Sequence, residues 1–419
     1  YKMGGGLMQL VAYGAQDIYL TGNPQITFFK VVYRRHTNFS MEAIEQTFSG
    51  TASFGGKVTS TVSRNGDLVG RMYVEMNPAE IFGNENAIAP NPCHNLLKEM
   101  ELEIGGQRID KHYSHWLNVW TELTEELVPA ATVLGTFQAG WDQVVSTANN
   151  TPVSAYQRMA LAVKCGTTAI AETYASVPLQ FWFCRNPGLA LPLIALQYHE
   201  VKVTITFETA ARLAGSSPSG SLSSVKLFAD YIYLDTDERR RFAQQSHEYL
   251  IEQLQYQKEA AGSTFNLNFN HPVKELIWAG AKETGVNQHG SPNNPYDMCI
   301  TGSLKLATQP TVTATIKLNG HERFSPRRDG YFTRTQPWQH HSNSGGGMKQ
   351  DAVHVYSFAL KPEEHQPSGT CNFSRIDTAQ LVYSQTVGGS GITSGIHIYA
   401  VNYNVLRIMS GMGGLAYSN

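Results

Sequence analysis

The stretch LEIGG at residues 102–106 recurs later in the chain as IKLNG at residues 316–320. Each copy reads as the end of a β-strand followed by a two-residue turn, because glycine and asparagine accept the positive φ angles that a tight hairpin requires. The copies lie 214 residues apart, and all-β domains often run to about 200 residues. This stretch therefore predicts that one β-domain is written twice along the chain.

Two shorter phrases support the same repeat. The phrase IEQ at 44–46 returns at 251–253, and YIY at 231–233 is echoed by YAV at 399–401. The offset between copies is 207 residues for the first phrase and 168 for the second, so the first copy must hold roughly 45 extra residues after its Gly-Gly turn. We place this surplus at about 114–178.

Strand patterns indicate the fold class. Residues 201–207 (VKVTITF) and 312–318 (VTATIKL) alternate apolar and polar side chains, as strands with one buried face do. Asn65-Gly66 and Asn319-Gly320 lie between such runs and predict hairpin turns. The sequence thus predicts an all-β protein of two tandem eight-stranded jelly rolls, with long inserted loops and a few short helices.

The same patterns divide the chain into three parts. Residues 1–25 are glycine-rich and aperiodic, which predicts an N-terminal arm. A strand-like pattern begins at Ile26, with apolar side chains on both faces. We expect the first jelly roll at 26–242, including the insertion at about 114–178, and the second jelly roll at 243–419.

One helix is predicted from His115 to Leu127, where Trp116, Leu117, Trp120 and Leu123 have helical spacing. It lies inside the insertion, and extra length is best tolerated at the exposed end of a sandwich. We therefore expect the insertion on the outer surface of the protein. Similar loops are predicted at 281–300 and 333–350.

Composition indicates a folded chain that does not coat nucleic acid. Of the 419 residues, 42% are hydrophobic and 16% charged, with a net charge of −2. So few charges predict a surface largely covered by neighbouring molecules. The charge balance argues against nucleic-acid binding through a positive field, and we expect no direct sequence-specific nucleic-acid binding.

The cysteines and the N-terminus indicate a cellular compartment. The five cysteines are widely spaced and form no Cys-x-x-Cys pair, which favours reduced, buried thiols over zinc or disulfides. We find no signal-peptide pattern and no apolar run long enough to span a bilayer. The sequence predicts a soluble chain made in the cytosol.

Residues that could carry chemistry do not converge in the sequence. The pairs His199-Glu200, His247-Glu248 and His321-Glu322 each lack the second histidine, four residues on, that a zinc protease helix needs. We therefore expect no catalytic, cofactor-binding or metal site. Among glycosylation acceptor patterns, Asn149 is the candidate, because it lies in the insertion.

Longer stretches resemble one protein family from end to end. They strongly resemble the major capsid proteins of nucleocytoplasmic large DNA viruses, above all those of algal chloroviruses and their relatives. The matching stretches are 5–17 (GGLMQLVAYGAQD), 20–30 (LTGNPQITFFK), 103–113 (EIGGQRIDKHY), 187–201 (PGLALPLIALQYHEV), 366–377 (QPSGTCNFSRID) and 402–417 (NYNVLRIMSGMGGLAY). Residues 114–178, 281–300 and 333–350 match no pattern of this family.

The resemblance implies a function in assembly. It implies two jelly rolls per chain, three chains per capsomer, and capsomers that tile an icosahedral shell over an inner membrane. Implied partners are further copies of the chain, minor capsid and penton proteins, and the layer over that membrane. Implied localisation is the virion, with assembly in the host cytoplasm.

A closed trimer of two-domain chains presents six similar units, so its outline approximates a hexagon that can tile a sheet. We expect the arm to face inwards, with contacts from Leu7, Leu10, Tyr13, Asp17 and Tyr19. Two alternatives stay open on sequence alone: a transient scaffold-lattice protein, and a carbohydrate-binding spike or attachment protein. A metal enzyme of the cupin type is a more distant alternative.

Overall fold

The computed structural model describes residues 5–12, 14–82, 91–126, 154–162, 172–213, 220–281, 312–343, 352–387 and 395–417. The chain divides into two compact units, Tyr1–Asn38 and Phe39–Asn419. Among the residues so described, we find no helix with the length and apolar character that crossing a bilayer demands.

The N-terminal unit carries two short helices and no strand in its described residues. The helices are α1 (Gly5–Val11) and α2 (Ile18–Thr21). The strand predicted from Ile26 is wrong, because residues 26–38 adopt no regular structure and their side chains are exposed. A strand-like sequence becomes a strand only where another strand supplies hydrogen-bond partners.

The first half of the second unit builds two antiparallel sheets. Its strands are β1 (Phe39–Gln46), β2 (Lys57–Thr61), β3 (Leu68–Met76), β4 (Leu97–Ile104), β5 (Gln107–Tyr113), β6 (Ala175–Pro178), β7 (Leu191–Pro192), β8 (Val201–Phe207) and β9 (Lys226–Leu234). One sheet has the order β1-β9-β3-β6, with β7 beside β3, and the other has the order β2-β8-β4-β5.

The second half repeats this arrangement. Its strands are β10 (His247–Glu259), β11 (Gly262–Asn266), β12 (Pro272–Ala281), β13 (Thr313–Leu318), β14 (His321–Glu322), β15 (Arg327–Arg328), β16 (Val353–Ser357), β17 (Cys371–Asn372), β18 (Ala379–Val387), β19 (Gly395–Met409) and β20 (Met412–Leu415). The sheet orders are β10-β19-β12-β16, with β17 and β20 alongside, and β11-β18-β13-β14, with β15 beside β13.

Both halves therefore have the same strand order, taken in chain sequence. In each half the first strand pairs with the last long strand, and the second strand pairs with the one before it. Four strands in each of two facing sheets make an eight-stranded jelly roll. The predicted fold class, a double jelly roll with few short helices, is confirmed.

One of the three repeated phrases occupies fully matching places, and a second lies on matching strands. LEIGG ends β4 and enters the turn to β5, and IKLNG ends β13 and enters the turn to β14. The turn residues Gly105, Gly106, Asn319 and Gly320 all have positive φ, so the hairpin at Asn319-Gly320 is confirmed. The phrase IEQ lies in β1 and again in β10.

The third phrase and one predicted hairpin are wrong. Tyr231 pairs with Glu42, ahead of the first IEQ, whereas Tyr399 pairs with Tyr256, beyond the second. The two tyrosines are therefore out of register on matching strands. Asn65-Gly66 forms no hairpin either, because the flanking strands β2 and β3 belong to different sheets.

The remaining helices lie between strands. They are α3 (Pro78–Phe82), α4 (Pro92–Leu96), α5 (Ser114–Thr124), α6 (Ala155–Ala160), α7 (Trp182–Arg185), α8 (Ala210–Leu213), α9 (Thr236–Gln244) and α10 (Gln336–His340). A π-helical turn, Tyr331–Thr335, runs directly into α10. The helix predicted from His115 is confirmed as α5, which ends at Thr124.

Candidate functional site

The junction between the two halves is built around α5. Trp116, Val119, Trp120 and Leu123 on this helix form one buried cluster with the second-half sheet of β10, β12, β16 and β19. The next residue along from Trp116, Leu117, is buried in the core of the first half instead. The helix thus ties one half to the other, and the predicted outer-surface position is wrong for residues 114–124. The apolar side chains on this face of α5 form a stripe that is stable only when another element covers it, which explains why α5 is buried.

Two histidines, one from each half, meet inside this junction. The rings of His115 on α5 and His397 on β19 stack with centroids 4.6 Å apart. His115 Nδ1 lies 2.8 Å from the Tyr399 hydroxyl, and His397 Nδ1 lies 2.8 Å from the Tyr256 hydroxyl. Burial lowers the pKa of His115 to about 4. Burial, the neighbouring His115 and Lys258 lower the pKa of His397 to about 2.

A buried ion cluster crosses the junction beside α5. Arg185, at the end of α7 in the first half, donates from Nη2 to Glu252 Oε2 on β10 at 2.6 Å. Lys274 on β12 places Nζ 2.8 Å from the other Glu252 oxygen and has no exposed side-chain surface. Burial alone would raise the pKa of Glu252, but Arg185, His365 and Lys274 outweigh it and hold the pKa at about 2. Arg185 also lies over the Trp120 ring at 5.0 Å.

A second buried ion cluster supports the end of α5. His341 Nε2 lies 3.1 Å from Glu275 and Nδ1 lies 2.9 Å from Glu363. Burial would lower the pKa of His341, but these two carboxylates raise it to about 9. The next residues cap α5, since Ser342 Oγ donates to the Thr124 carbonyl at 3.3 Å and the Asn343 backbone donates to the Leu123 carbonyl at 3.0 Å.

The second IEQ phrase also lies in this junction. Gln253 Nε2 donates to the carbonyl of Ile109 at 2.5 Å, and the Leu254 backbone N–H donates to Asp110 Oδ1 at 3.1 Å. Ile251 is buried in the core of the first half. In the first copy, Gln46 instead accepts from Ser63 and Tyr231 within its own half. The two copies of IEQ therefore have the same sequence but make different contacts.

The predicted arm contacts do not come together in a site. The side chains of Leu7, Leu10 and Tyr19 are 55%, 78% and 90% exposed. Asp17 accepts a hydrogen bond from the Gly14 backbone at 2.7 Å, and Tyr13 lies outside the described residues. Their contact with other proteins stays a prediction.

The three His-Glu pairs have local roles where the structure gives contacts. His199 Nδ1 lies 2.9 Å from the Gly413 carbonyl of the second half, and His247 Nε2 lies 2.8 Å from the Phe242 carbonyl. His321 is exposed on β14. Within the described ranges, no three His, Cys, Asp or Glu side chains are grouped to hold a metal ion. Asn149 lies outside those ranges.

Comparison with known proteins agrees with this architecture. Residues 27–235 match the family described as major capsid protein N-terminus, and residues 238–414 match the large eukaryotic DNA virus major capsid protein family. The chain is 52% identical to the major capsid protein of Pyramimonas orientalis virus and 42% identical to that of Paramecium bursaria Chlorella virus 1, with 100% of both chains covered each time. A quasi-atomic structure of the PBCV-1 virus capsid aligns with a TM-score of 0.72 and 38% identity, covering 94% of this chain and 100% of that one.

Two jelly rolls of one strand order, locked together by a buried helix, define a double jelly-roll protein of the capsid class. The chain belongs to the family of major capsid proteins of large eukaryotic DNA viruses. The resemblance inferred from the sequence is confirmed, and with it the function as a structural protein of the viral capsid. The sequence left two alternatives open, a transient scaffold-lattice protein and a carbohydrate-binding spike or attachment protein. Membership of this family supports neither of them.

Proposed function

We propose that three copies of this chain associate into a capsomer with a pseudo-hexagonal outline, and that these capsomers tile an icosahedral shell. The observation that carries the proposal is the identical strand order of the two halves. Three chains then present six similar units around one axis, which pack edge to edge as hexagons do. A capsomer with only threefold symmetry can therefore pack among its neighbours as a hexagon does.

We further infer that the protein acts by association and not by catalysis. Arg185 of the first half pairs with Glu252 across the junction, and the buried Lys274 and His341 pair with Glu252 and Glu275 within the second half. Such pairing is a structural use of charge. A surface cleft of about 530 Å³ lies between Tyr198, the 243–246 segment and the β19–β20 turn, but its lining carries no charged side chain. General acid or base chemistry needs such groups.

The partition of the chain and the inner partners belong to the same proposal. We assign residues 1–25 to an arm, 26–242 to the first jelly roll and 243–419 to the second. The exposed apolar side chains of the arm suit contact with minor capsid or penton proteins or with the layer over an inner membrane. The free thiols of Cys93, Cys184 and Cys371 in the described ranges support assembly in the reducing host cytoplasm.

Light scattering on the purified chain tests the proposal. We expect a species of three times the 46.3 kDa chain mass, and a stable monomer or dimer would contradict it. The composition of purified mature particles provides a second test. A transient scaffold would be absent from them, whereas this protein is expected to dominate them.

A further inference from the structure

We propose that the helical corner Tyr331–His340 docks on the outer face of the β1-β9-β3-β6 sheet of a second copy of this chain. The helical corner consists of the π-helical turn Tyr331–Thr335 followed by α10. The inference rests on the proposed trimer and names the surfaces that close it. It follows from a contact that the chain already makes within itself.

The contact within the chain is the docking of α5. This helix follows the β4–β5 hairpin of the first half and lies on the outer face of the β10-β19-β12-β16 sheet. Ile277, Val355 and Val401 are among the strand residues that receive it. Because the halves share one strand order, this contact defines a donor surface and an acceptor surface on each half.

The helical corner is the donor surface of the second half. It follows the hairpin formed by β13 with β14 and β15, just as α5 follows β4 and β5. Leu117 on α5 and Phe332 in the corner are each buried in the core of their own half. These two anchors place the helices in the same register.

Matching positions on the two helices differ only in what covers them. Leu123 and Trp338 lie equally far beyond their anchors, yet Leu123 is 1% exposed and Trp338 is 72% exposed. Trp116 is buried against the other half, and its counterpart Tyr331 is half-buried. Tyr331 and Trp338 lie seven residues apart and so share a face of the corner. This face is the unused counterpart of the one that α5 buries.

The outer face of the β1-β9-β3-β6 sheet is the acceptor. Ala190 and Phe242 already cover its Leu68–Ile232 corner, and the rest of the face is the acceptor surface. Leu227, Ala229 and Tyr231 of β9 point into the core, so the alternating residues point outwards. On this outer face Phe39 and Met41 are 56% and 55% exposed. The matching sheet of the second half is buried under α5, so an assembly that repeats the contact must cover this face too.

Aromatic and charged groups on the acceptor suit the corner. Phe228 and Tyr73 stack on the outer face with ring centroids 5.7 Å apart, a platform for an indole ring. Around them lie the carboxylates Glu45, Glu75 and Asp230, with Lys226 paired to Glu45 and Arg71 beside Asp230, a polar rim of the kind that surrounds an interface core.

The arrangement fixes the kind of symmetry. Each chain presents one exposed donor surface around Trp338 and one exposed acceptor surface around Met41. Such head-to-tail contacts generate rings when the rotation closes and open filaments when it does not. A ring of six jelly rolls, alternating between contacts within a chain and contacts between chains, contains three chains.

Four single variants test the inference, two of them matched controls. Trp338→Glu spoils the donor and Met41→Glu the acceptor, and both positions are exposed, so the chain itself should fold. The controls are Tyr198→Glu and Met412→Glu, which are 76% and 52% exposed and lie on other elements. Near-UV circular dichroism checks folding, and light scattering gives the mass.

We expect the mass to fall threefold for Trp338→Glu and Met41→Glu, and to stay trimeric for both controls. A mixture of the two disrupted variants keeps one intact donor and one intact acceptor, so native mass spectrometry should show a 1:1 heterodimer that neither variant forms alone. If the wild-type chain is trimeric and both disrupted variants stay trimeric, or the mixture gives no heterodimer, the docking inference is overturned while the trimer stands. A wild-type chain that is not trimeric overturns the proposed function instead.

Discussion

His115 and His397 stack across the junction of the two jelly rolls with ring centroids 4.6 Å apart, one ring supplied by each half. Both rings are buried, and burial is the first cause of their lowered pKa values. Two neutral imidazole rings can stack on each other stably, whereas two imidazolium ions repel each other. The contact between the halves is therefore sensitive to acid.

We predict that the free energy of unfolding falls with pH below about 6.5, the pKa of an unfolded histidine. The folded pKa values lie lower, so the unfolded state binds more protons and stability is lost as the pH falls towards 4. His397→Phe keeps an aromatic ring at the stack but removes one titrating group. Denaturant unfolding between pH 7 and pH 4.5 should show a shallower loss in this variant, and an unchanged pH slope would contradict the prediction.

The His341 cluster predicts the opposite dependence at alkaline pH. Glu275 and Glu363 raise the folded pKa of His341 to about 9, so its contribution is fully present below about pH 6.5 and is lost as the pH rises through 9. Removing one partner of a buried ion pair costs about 3–5 kcal/mol. His341→Gln should lose about that much stability at pH 7 and should show less further loss at pH 10 than the wild-type chain, in thermal melts followed by circular dichroism.

We predict that substitutions of Glu252 and Lys274 have strongly coupled effects on the free energy of unfolding. Glu252→Gln alone leaves the fully buried Lys274 without its carboxylate partner and should cost about 3–5 kcal/mol. The double variant Glu252→Gln with Lys274→Met removes both charges and should recover part of that loss. A double-mutant cycle from urea unfolding measures the coupling, and strictly additive losses would argue against the pairing.

The burial of Trp120 leads us to predict that the two jelly rolls unfold together only while α5 is packed between them. It is 6% exposed between α5 and the second-half sheet, and Trp→Ala at a buried site costs about 3–5 kcal/mol. We expect Trp120→Ala to separate calorimetric unfolding into two transitions, one for each half. Tyr198→Ala, at an exposed aromatic residue, should change the stability by no more than about 0.5 kcal/mol. A single, unshifted transition in Trp120→Ala would contradict the role of α5.

The arm predicts a defect in assembly without a defect in folding. Deleting residues 3–20 removes exposed apolar side chains, among them Leu10 and Tyr19, and no strand of either jelly roll. Trimers should form at the wild-type level by light scattering, while shell formation, followed by electron microscopy, should fail. Loss of the trimer on this deletion would refute the inner assignment.

The fold could be predicted from the sequence because its signals are local. Alternation in β8 and the turn at Asn319-Gly320 depend on neighbours along the chain, and both are confirmed. The failures share one cause, the lack of information about partners. Ile26 begins a strand-like segment, apolar on both faces, that finds no partner strand among the described residues, and Asn65-Gly66 connects different sheets.

The junction between the two halves was harder to predict from the sequence. The helical spacing of Trp116 and Trp120 predicted α5, but an insertion suggested a free surface, whereas two tryptophans on one face were the signal of a buried one. Lys274-Glu275 inside the apolar strand β12 was a second signal, because charges in such a run are seldom buried unless they are paired. Nothing in the sequence shows that Arg185 from the other half lies within reach of Glu252.

Electron cryomicroscopy of the isolated native protein tests the central claim most directly. We predict a ring of three chains in which six similar jelly rolls surround the axis, with Trp338 of each chain buried on the outer β1-β9-β3-β6 sheet face of the next. A particle with a twofold axis, or a threefold particle in which Trp338 faces solvent, would contradict this account.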